Sequence, residues 1–309
     1  MNYTVLQRIA LTLLTGGLTG TSFVLTKMLL GAGVDQITVS FVQLAGASAV
    51  LLTALRFRGT APTLNGGVLR YFSIASLIAL AAGPLLGNWV LGRIPAAIFT
   101  VVVTFSPMFT TLLTALIERR LPSINALIGV LLGLSGALLV LLPRVRVAPH
   151  GEAFALCLAL GVPMLLAVGN IYRSRYWPPQ LAPAAASAGA LAVQGVLLAP
   201  VFAVRPHVAA ATIWSAAPLF ALSILVTVAA NVSGSTLQRV AGATAYSQIG
   251  YVIALTGVVA GTILFHESLD ATFWPALALV FAGIVLTNRA WRPAHAVPLV
   301  PLTFRRSDS

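Results

Sequence analysis

Charge is scarce in this sequence. Only 8% of its 309 residues are Asp, Glu, Lys or Arg, whereas ordinary soluble domains carry roughly 25%. Hydrophobic residues make up 59% of the chain, and the mean hydropathy is +0.98. A chain with so few polar groups cannot cover a water-soluble fold. Because one membrane-spanning helix takes roughly 20 apolar residues, spans use nearly the whole length and leave no room for a soluble catalytic domain.

Cysteine and other metal-binding residues are also few. Cys157 is the only cysteine, which excludes an intrachain disulfide and a cysteine-based metal site. The four histidines fall in predicted loops or in the C-terminal tail. His266-Glu267 does not continue to the H-E-x-x-H pattern of zinc enzymes, and we interpret it as a solvated loop pair. The sequence therefore predicts no metal, no cofactor and no enzymatic activity.

The few charges that exist are unevenly divided. There are six acidic residues against eighteen basic ones, a formal net charge of +12. No acidic residue lies near the centre of a predicted span, so no buried carboxylate relay for protons is visible. The arginines are scattered at the ends of apolar runs, as loop charges are in membrane proteins, and do not form one basic face. We therefore expect no nucleic-acid partner.

Breaks in hydrophobicity divide the chain into ten predicted spans. Irregular backbone cannot face lipid, and no run alternates as a membrane barrel strand does, so the spans must be helices. The predicted fold class is an all-α integral membrane protein with ten transmembrane helices. The spans lie near residues 9–30, 36–55, 71–92, 95–117, 123–142, 152–172, 183–204, 213–237, 242–264 and 272–290.

Loop charges predict the orientation. With the N-terminus inside, most arginines lie on the cytoplasmic side, as the positive-inside rule requires. The external exceptions are Arg93, Arg144, Arg146 and Arg205. The sequence thus predicts a multi-pass protein of the cell membrane with both termini cytoplasmic. Residues 291–309, rich in Pro and Arg, are predicted to be a disordered cytoplasmic tail.

The two halves of the chain resemble each other. A shift of 146 residues aligns five identities in the same order: Ala75, Ile78, Leu91, Arg93 and Ala97 with Ala221, Ile224, Leu237, Arg239 and Ala243. We therefore predict two repeats, 9–142 and 151–290, of five helices each. Because five is odd, the repeats must enter the membrane in opposite directions. Inverted repeats of this kind place a substrate site near the midplane and permit alternating access.

The sequence resembles the EamA-type branch of the drug/metabolite transporter superfamily. The likeness is carried by residues 19–27, similar to the family's W-G-x-x-F-x-x-x-K, by Ser106-Pro107, and by the run 118–121. The resemblance implies ten spans in two repeats, a cavity lined by spans one, three, four, six, eight and nine, and export rather than uptake. Three departures leave the cargo open: Thr19 stands where the family usually has Trp, Gln43 near a common Arg, and Gly250-Tyr251 near a common Pro.

Polar residues inside the predicted spans are the candidate substrate contacts. Amides in hydrocarbon need a partner and point into the bundle, and hydroxyls at intervals of three and four share one helical face. The alternative for each is a contact between helices, because Ser, Thr and a G-x-x-x-G such as Gly16 and Gly20 also permit close packing. The predicted substrate-binding residues are Thr19, Ser22, Gln43, Asn88, Thr104, Pro107, Asn231, Gln248 and Tyr251.

Two further residues are predicted to gate the cavity. Lys27 is the only lysine and lies near the outer end of the first span, where it can close an outer gate or simply extend its stem to the interface. Trp89 lies near the outer end of span three, where aromatic residues also form interfacial belts. These alternatives stay open from the sequence.

The sequence therefore favours a secondary transporter for a small metabolite, amino acid-like or amphipathic. The expected partners are that solute and the lipid bilayer, and a homodimer is one assembly that the sequence allows. The competing readings are a channel-like facilitator and a non-transporting membrane subunit or scaffold. A duplicated helical bundle does not by itself distinguish the three.

Overall fold

The architecture is helical throughout the part of the chain that can be described. A computed structural model describes residues 5–60, 64–119, 124–147, 150–204, 210–267, 269 and 271–290, and these contain helices and connecting turns but no strand. The predicted tail, 291–309, lies outside the described residues. The all-α fold class is confirmed for the residues that are described.

Helices α1 to α14 and one π-helical segment make up the described chain. The first group is α1 (Val5–Gly31), α2 (Gln36–Phe57), α3 (Gly66–Leu80), the π segment (Ala81–Gly87), α4 (Asn88–Leu91), α5 (Ala96–Val103), α6 (Ser106–Ile117) and α7 (Ile124–Val147). The second group is α8 (His150–Ala159), α9 (Gly161–Arg175), α10 (Pro183–Ala203), α11 (Ala210–Ser215), α12 (Ala217–Ser247), α13 (Ile249–Ile263) and α14 (Phe273–Ala290).

Many of these helices are long and apolar enough to cross a bilayer. Seven segments of at least 18 described residues qualify: Leu6–Gly31, Gln36–Phe57, Gly66–Leu91, Ala96–Ile117, Ala153–Arg175, Pro183–Ala203 and Ala217–Ala243. Three shorter apolar helices fall where the other predicted spans lie: Leu127–Gly136, Ile249–Ile263 and Phe273–Gly283. The protein is a multi-pass membrane protein. The count of ten spans stays a prediction.

Among the breaks in the long helices of the described chain, two have a clear local cause. Pro84 lies inside the π segment, where it has no N–H to continue the helical ladder. Its carbonyl accepts hydrogen bonds from the Gln36 amide at 3.3 Å and the Ser40 hydroxyl at 3.4 Å, so α2 holds the widened turn. Gly242, at φ 79°, breaks α12 near its end, a conformation that glycine adopts without a Cβ clash.

Helix pairs cross closely where glycines allow it. α7 packs along α14, α2 along α10, and α1 along both α12 and α13. α13 also packs on α5, where a Cβ built on Gly257 would lie 2.0 Å from the Thr100 hydroxyl oxygen. Gly16 and Gly20 give α1 the same closeness to Val252 and Thr256 of α13. The G-x-x-x-G of α1 therefore serves helix packing, which drives association in lipid.

Candidate solute-binding cavity

A cavity of about 190 Å³ lies between the helices of the two halves. Its walls come from α1, α2, α3, the π segment, α4, α9, α10 and α12. Small and apolar positions alternate with hydroxyl and amide side chains. The polar wall residues are Ser22, Thr26, Ser40, Gln43, Tyr71, Asn88, Arg173, Ser187, Gln194, Thr227, Asn231 and Ser235.

The cavity runs along one face of α3 and its continuation. Tyr71, Ala75 and Ala79 line it at intervals of four, followed by Pro84 and Asn88, and this spacing keeps them on one side of a helix. At 1.5 Å per residue, the 17 steps from 71 to 88 correspond to roughly 26 Å. A small solute therefore contacts only part of the wall at any moment.

Four of the predicted substrate-binding residues lie in this wall: Ser22, Gln43, Asn88 and Asn231. The Gln43 amide donates to the Thr26 hydroxyl at 3.2 Å, and the Asn88 amide donates to the Ser40 hydroxyl at 3.0 Å. Each bond also joins two helices. The two readings of these amides, solute contact and interhelical bond, are thus compatible at the same position.

The other predicted contacts lie elsewhere. Thr19 and Thr104 donate their hydroxyls to main-chain carbonyls of their own helices, and Pro107 is buried at the start of α6. Gln248 lies at the junction of α12 and α13. Tyr251 stacks on Phe281 of α14, with ring centroids 5.5 Å apart.

The wall also differs from the set of spans that the resemblance implies. Helices α2 and α10 line the cavity, whereas α5, α6 and α13 do not. The physical reason is the tight crossing of α5 and α13: a Cβ on Gly250 would lie 3.3 Å from the Thr104 Cα. The α5 residues 96–103 are buried throughout.

Lys27 lies in a cluster at the C-terminal end of α1, outside the cavity wall. Its ammonium donates to the Leu91 carbonyl at 3.3 Å and to the Ile94 carbonyl at 2.5 Å. Glu267 Oε1 lies 3.9 Å from the ammonium. Glu267 also accepts from the main-chain N–H groups of Ala96 and Ala97, at 2.6 and 3.0 Å. Lys27 is therefore held by protein partners, and we name these residues the Lys27 cluster.

The interpretation of His266-Glu267 as a solvated pair is wrong for the glutamate. Its side chain is only 10% exposed, because it caps the N-terminus of α5, where free N–H groups and the helix dipole favour an anion. Trp89, the second predicted gate, stacks under the Arg93 guanidinium at 3.9 Å and meets Phe154 edge to face. Trp89 and Arg93 thus cover the end of α4.

Several wall residues were missed from the sequence. Arg173 was counted among the cytoplasmic loop charges, yet it lines the cavity near Tyr71. Thr227, Asn231 and Ser235 repeat at intervals of four on α12, a spacing that predicts one polar face. Only Asn231 was singled out, because hydroxyls in apolar runs are too common to be diagnostic alone.

Comparison with known proteins finds a family similarity in the first half of the chain. The profile of the EamA-like transporter family matches residues 7–142. This part of the chain is similar to the EamA-like transporter family. The family is part of the drug/metabolite transporter superfamily, so the resemblance read from residues 19–27 and 118–121 is confirmed. No curated protein sequence matches the chain.

The fold of the chain recurs in solved structures. One crystal structure of a protein superposes with a TM-score of 0.61 at 17% identity, over 90% of this chain and 98% of the other. At that identity the likeness establishes the fold alone. It extends over both halves and therefore beyond the segment that the family profile matches.

Proposed function

We propose that the protein is a secondary transporter that moves a small, amino acid-like or amphipathic metabolite by alternating access, in the direction of export. The observation that carries the proposal is the polar cavity between the helices of the two halves, in a chain whose first half is EamA-like. Its location is the cell membrane, with both termini cytoplasmic.

The size and chemistry of the cavity favour a metabolite. Its volume of about 190 Å³ is below the roughly 300–1,000 Å³ of sites for drug-sized ligands. The described wall carries hydroxyls, amides and one guanidinium, but no carboxylate. Such a wall suits a solute with several hydrogen-bonding groups and little positive charge.

The crossing of α7 and α14 supports an inverted repeat. A Cβ on Gly136 would lie 2.7 Å from the Ala276 carbonyl oxygen, and a Cβ on Gly283 would lie 2.4 Å from the Gly129 carbonyl oxygen. Gly283 and Gly136 are 147 positions apart (283 − 136), and so are Ala276 and Gly129 (276 − 129). Exchanging the two halves therefore reproduces the contact.

The ends of α6 and α13 give a second match. Among the described residues, Arg119 and His266 are the non-glycine residues at positive φ, 52° and 50°. They are again 147 positions apart (266 − 119). Positive φ is uncommon for such residues, so its recurrence at equivalent positions after equivalent helices favours duplication. We take 9–142 and 151–290 as the two repeats.

Helix contacts between the halves follow the same exchange. α1 packs on α12 and α13, and the equivalent helix α9 packs on α3 and α6. The contacts of α2 with α10 and of α7 with α14 each pair a helix with its own equivalent. Two repeats of opposite orientation can exchange conformations, which opens the cavity to one side and then the other.

The experiment combines solute flux with access from each side. The protein in liposomes carries Ser22→Cys, at a partly exposed position of the cavity wall, in a Cys157→Ser background, since Cys157 is exposed and would react itself. We expect the cysteine to react with a membrane-impermeant maleimide from either side, but from one side only once a transported solute or an inhibitor locks the protein. Reaction from both sides under every condition would favour a channel, and no reaction with no flux would favour a scaffold.

A matched pair of variants locates the site. Asn231 lines the cavity, whereas Gln248 does not. We expect Asn231→Ala to reduce both flux and the thermal stabilisation by a transported amino acid. Gln248→Ala should leave both nearly unchanged. Equal losses in the two variants would contradict this assignment of the cavity.

A further inference from the structure

We propose that Arg173 is the anion-recognising residue of the cavity and that the solute carries a carboxylate. The inference rests on the proposed transport function and names the class of its substrate. Arg173 lies in the last turn of α9 and lines the cavity together with Tyr71 and Ser187. Its charge is the one feature of the wall that selects for the sign of a solute.

The partners of Arg173 within the protein are weak for a guanidinium. It donates one hydrogen bond, to the Asn170 amide oxygen at 3.1 Å, and lies 5.2 Å from the Tyr246 ring centroid. No carboxylate lies within ion-pair distance in the described part of the chain. A guanidinium has five N–H donors, so donors remain for a planar, bidentate partner such as a carboxylate.

A comparison with Lys27 strengthens the inference. In the proposed repeat, Lys27 and Arg173 are equivalent, because 27 + 146 = 173. The charge of Lys27 is compensated by Glu267 and two main-chain carbonyls. Within the described part of the chain no carboxylate compensates the charge of Arg173 in this way, although an unpaired charge within the membrane is costly. A solute carboxylate would give Arg173 the negative partner that Glu267 gives Lys27.

The position of Arg173 at a helix end does not by itself explain why an arginine lines the cavity. Cations are stabilised at helix C-termini by the dipole, and this explains Arg175, which is exposed in the same turn and does not line the cavity. Arg173 is half-buried and faces the cavity, beside the hydrogen-bonded hydroxyls of Ser187 and Ser235, 2.8 Å apart. These groups can share the oxygens of a bound carboxylate.

A free hydroxyl extends the site away from Arg173. Thr227 lines the cavity and is 8% exposed, and its hydroxyl has no hydrogen-bond partner among the described residues. Thr227 and Ser235 are eight residues apart on α12, or roughly 12 Å along the helix. A solute whose carboxylate binds Arg173 can therefore form a hydrogen bond with the Thr227 hydroxyl through a polar group at its other end.

The test measures binding and flux separately on the full chain in liposomes. The probes are L-alanine, L-glutamine, L-phenylalanine and L-tryptophan, each beside its primary amide, and uridine as a neutral solute. We expect at least one acid to stabilise the protein and to cross the membrane while its amide does neither. Arg173→Gln should weaken binding of that acid by at least about 10-fold, Arg173→Lys by less, and Arg175→Gln not at all.

Other outcomes overturn one proposal or the other. Equal binding of acids and amides, flux of uridine with no acid bound, or no stabilisation by any acid overturns the carboxylate inference. If the wild-type protein transports uridine and the Arg173→Gln variant does not, the arginine is needed for the structure of the protein. That result also overturns the inference. Carboxylate-dependent binding without flux overturns transport and leaves the anion site standing.

Discussion

The side chains of Lys27 and Glu267 meet at one end of the bundle, with 3.9 Å between the lysine Nζ and the glutamate Oε1. Residues 240 positions apart in the chain thereby connect α1, the turn between α4 and α5, and the segment after α13. The carboxylate has two functions, because it also caps the N-terminus of α5. The Lys27 cluster therefore connects three segments of the chain, and its contribution to stability can be measured.

We predict that Glu267→Ala destabilises the protein. The substitution removes the cap of α5, which costs about 0.5–2 kcal/mol, and leaves Lys27 without its ion-pair partner. The thermal unfolding midpoint of the purified protein should fall. In Glu267→Gln the midpoint should fall less, because an amide still offers one acceptor oxygen. Glu118→Ala, a change at a residue outside the Lys27 cluster, gives a comparison.

The pairing itself is tested by a double-mutant cycle. If Lys27 and Glu267 interact, Lys27→Met with Glu267→Gln should cost less than the sum of the two single changes. Strict additivity would mean that the lysine acts through the Leu91 and Ile94 carbonyls alone.

A second prediction concerns the crossing of α7 and α14. Gly283→Ala should destabilise the protein, because its Cβ would lie 2.4 Å from the Gly129 carbonyl oxygen and 2.5 Å from the Gly133 nitrogen. Main-chain atoms cannot move aside as a flexible side chain can, and overpacking typically costs about 1–3 kcal/mol. Thermal unfolding in detergent measures the loss.

Gly17→Ala is the matched control. Gly17 lies in α1 with nothing within 4 Å of its Cβ position. Alanine is the better helix former by about 1 kcal/mol in water, so this variant should be neutral or slightly more stable. If both alanine variants behave alike, the close crossing of α7 and α14 does not exist in the membrane.

Much of the fold could be predicted from the sequence, because a hydrophobic run long enough to span the bilayer forms a helix there. The seven segments that are long and apolar enough to cross a bilayer overlap seven of the ten predicted spans. The residue types at Pro84 and Gly242 account for the breaks found there.

The candidate site was less accessible to sequence reasoning. Whether a hydroxyl faces a cavity or its own helix depends on the rotation of each helix, which Thr19 and Ser22 illustrate within one turn of α1. Arg173 was assigned to a loop because charge at the end of an apolar run usually is interfacial. Glu267 was read as solvated because its contact with the start of α5 spans 170 residues of sequence.

The last prediction separates a structural effect from a functional one at a single hydroxyl. Thr227 and Thr15 are both buried, and in the part of the chain that the structure describes neither hydroxyl has a hydrogen-bond partner. Burying an unpaired hydroxyl is unfavourable, so replacement by valine of nearly the same shape should leave the thermal unfolding midpoint unchanged or raise it. We expect this in both Thr227→Val and Thr15→Val.

Solute binding should distinguish the two variants, because Thr227 lines the cavity and Thr15 does not. A lost hydrogen bond to a bound solute is worth about 0.5–1.5 kcal/mol, so Thr227→Val should weaken binding of a stabilising amino acid by roughly 2- to 13-fold. Thr15→Val should bind as the wild type does. Unchanged binding in Thr227→Val would mean that the hydroxyl is an unpaired feature of helix packing, and the solute would then be confined to the part of the cavity near Arg173.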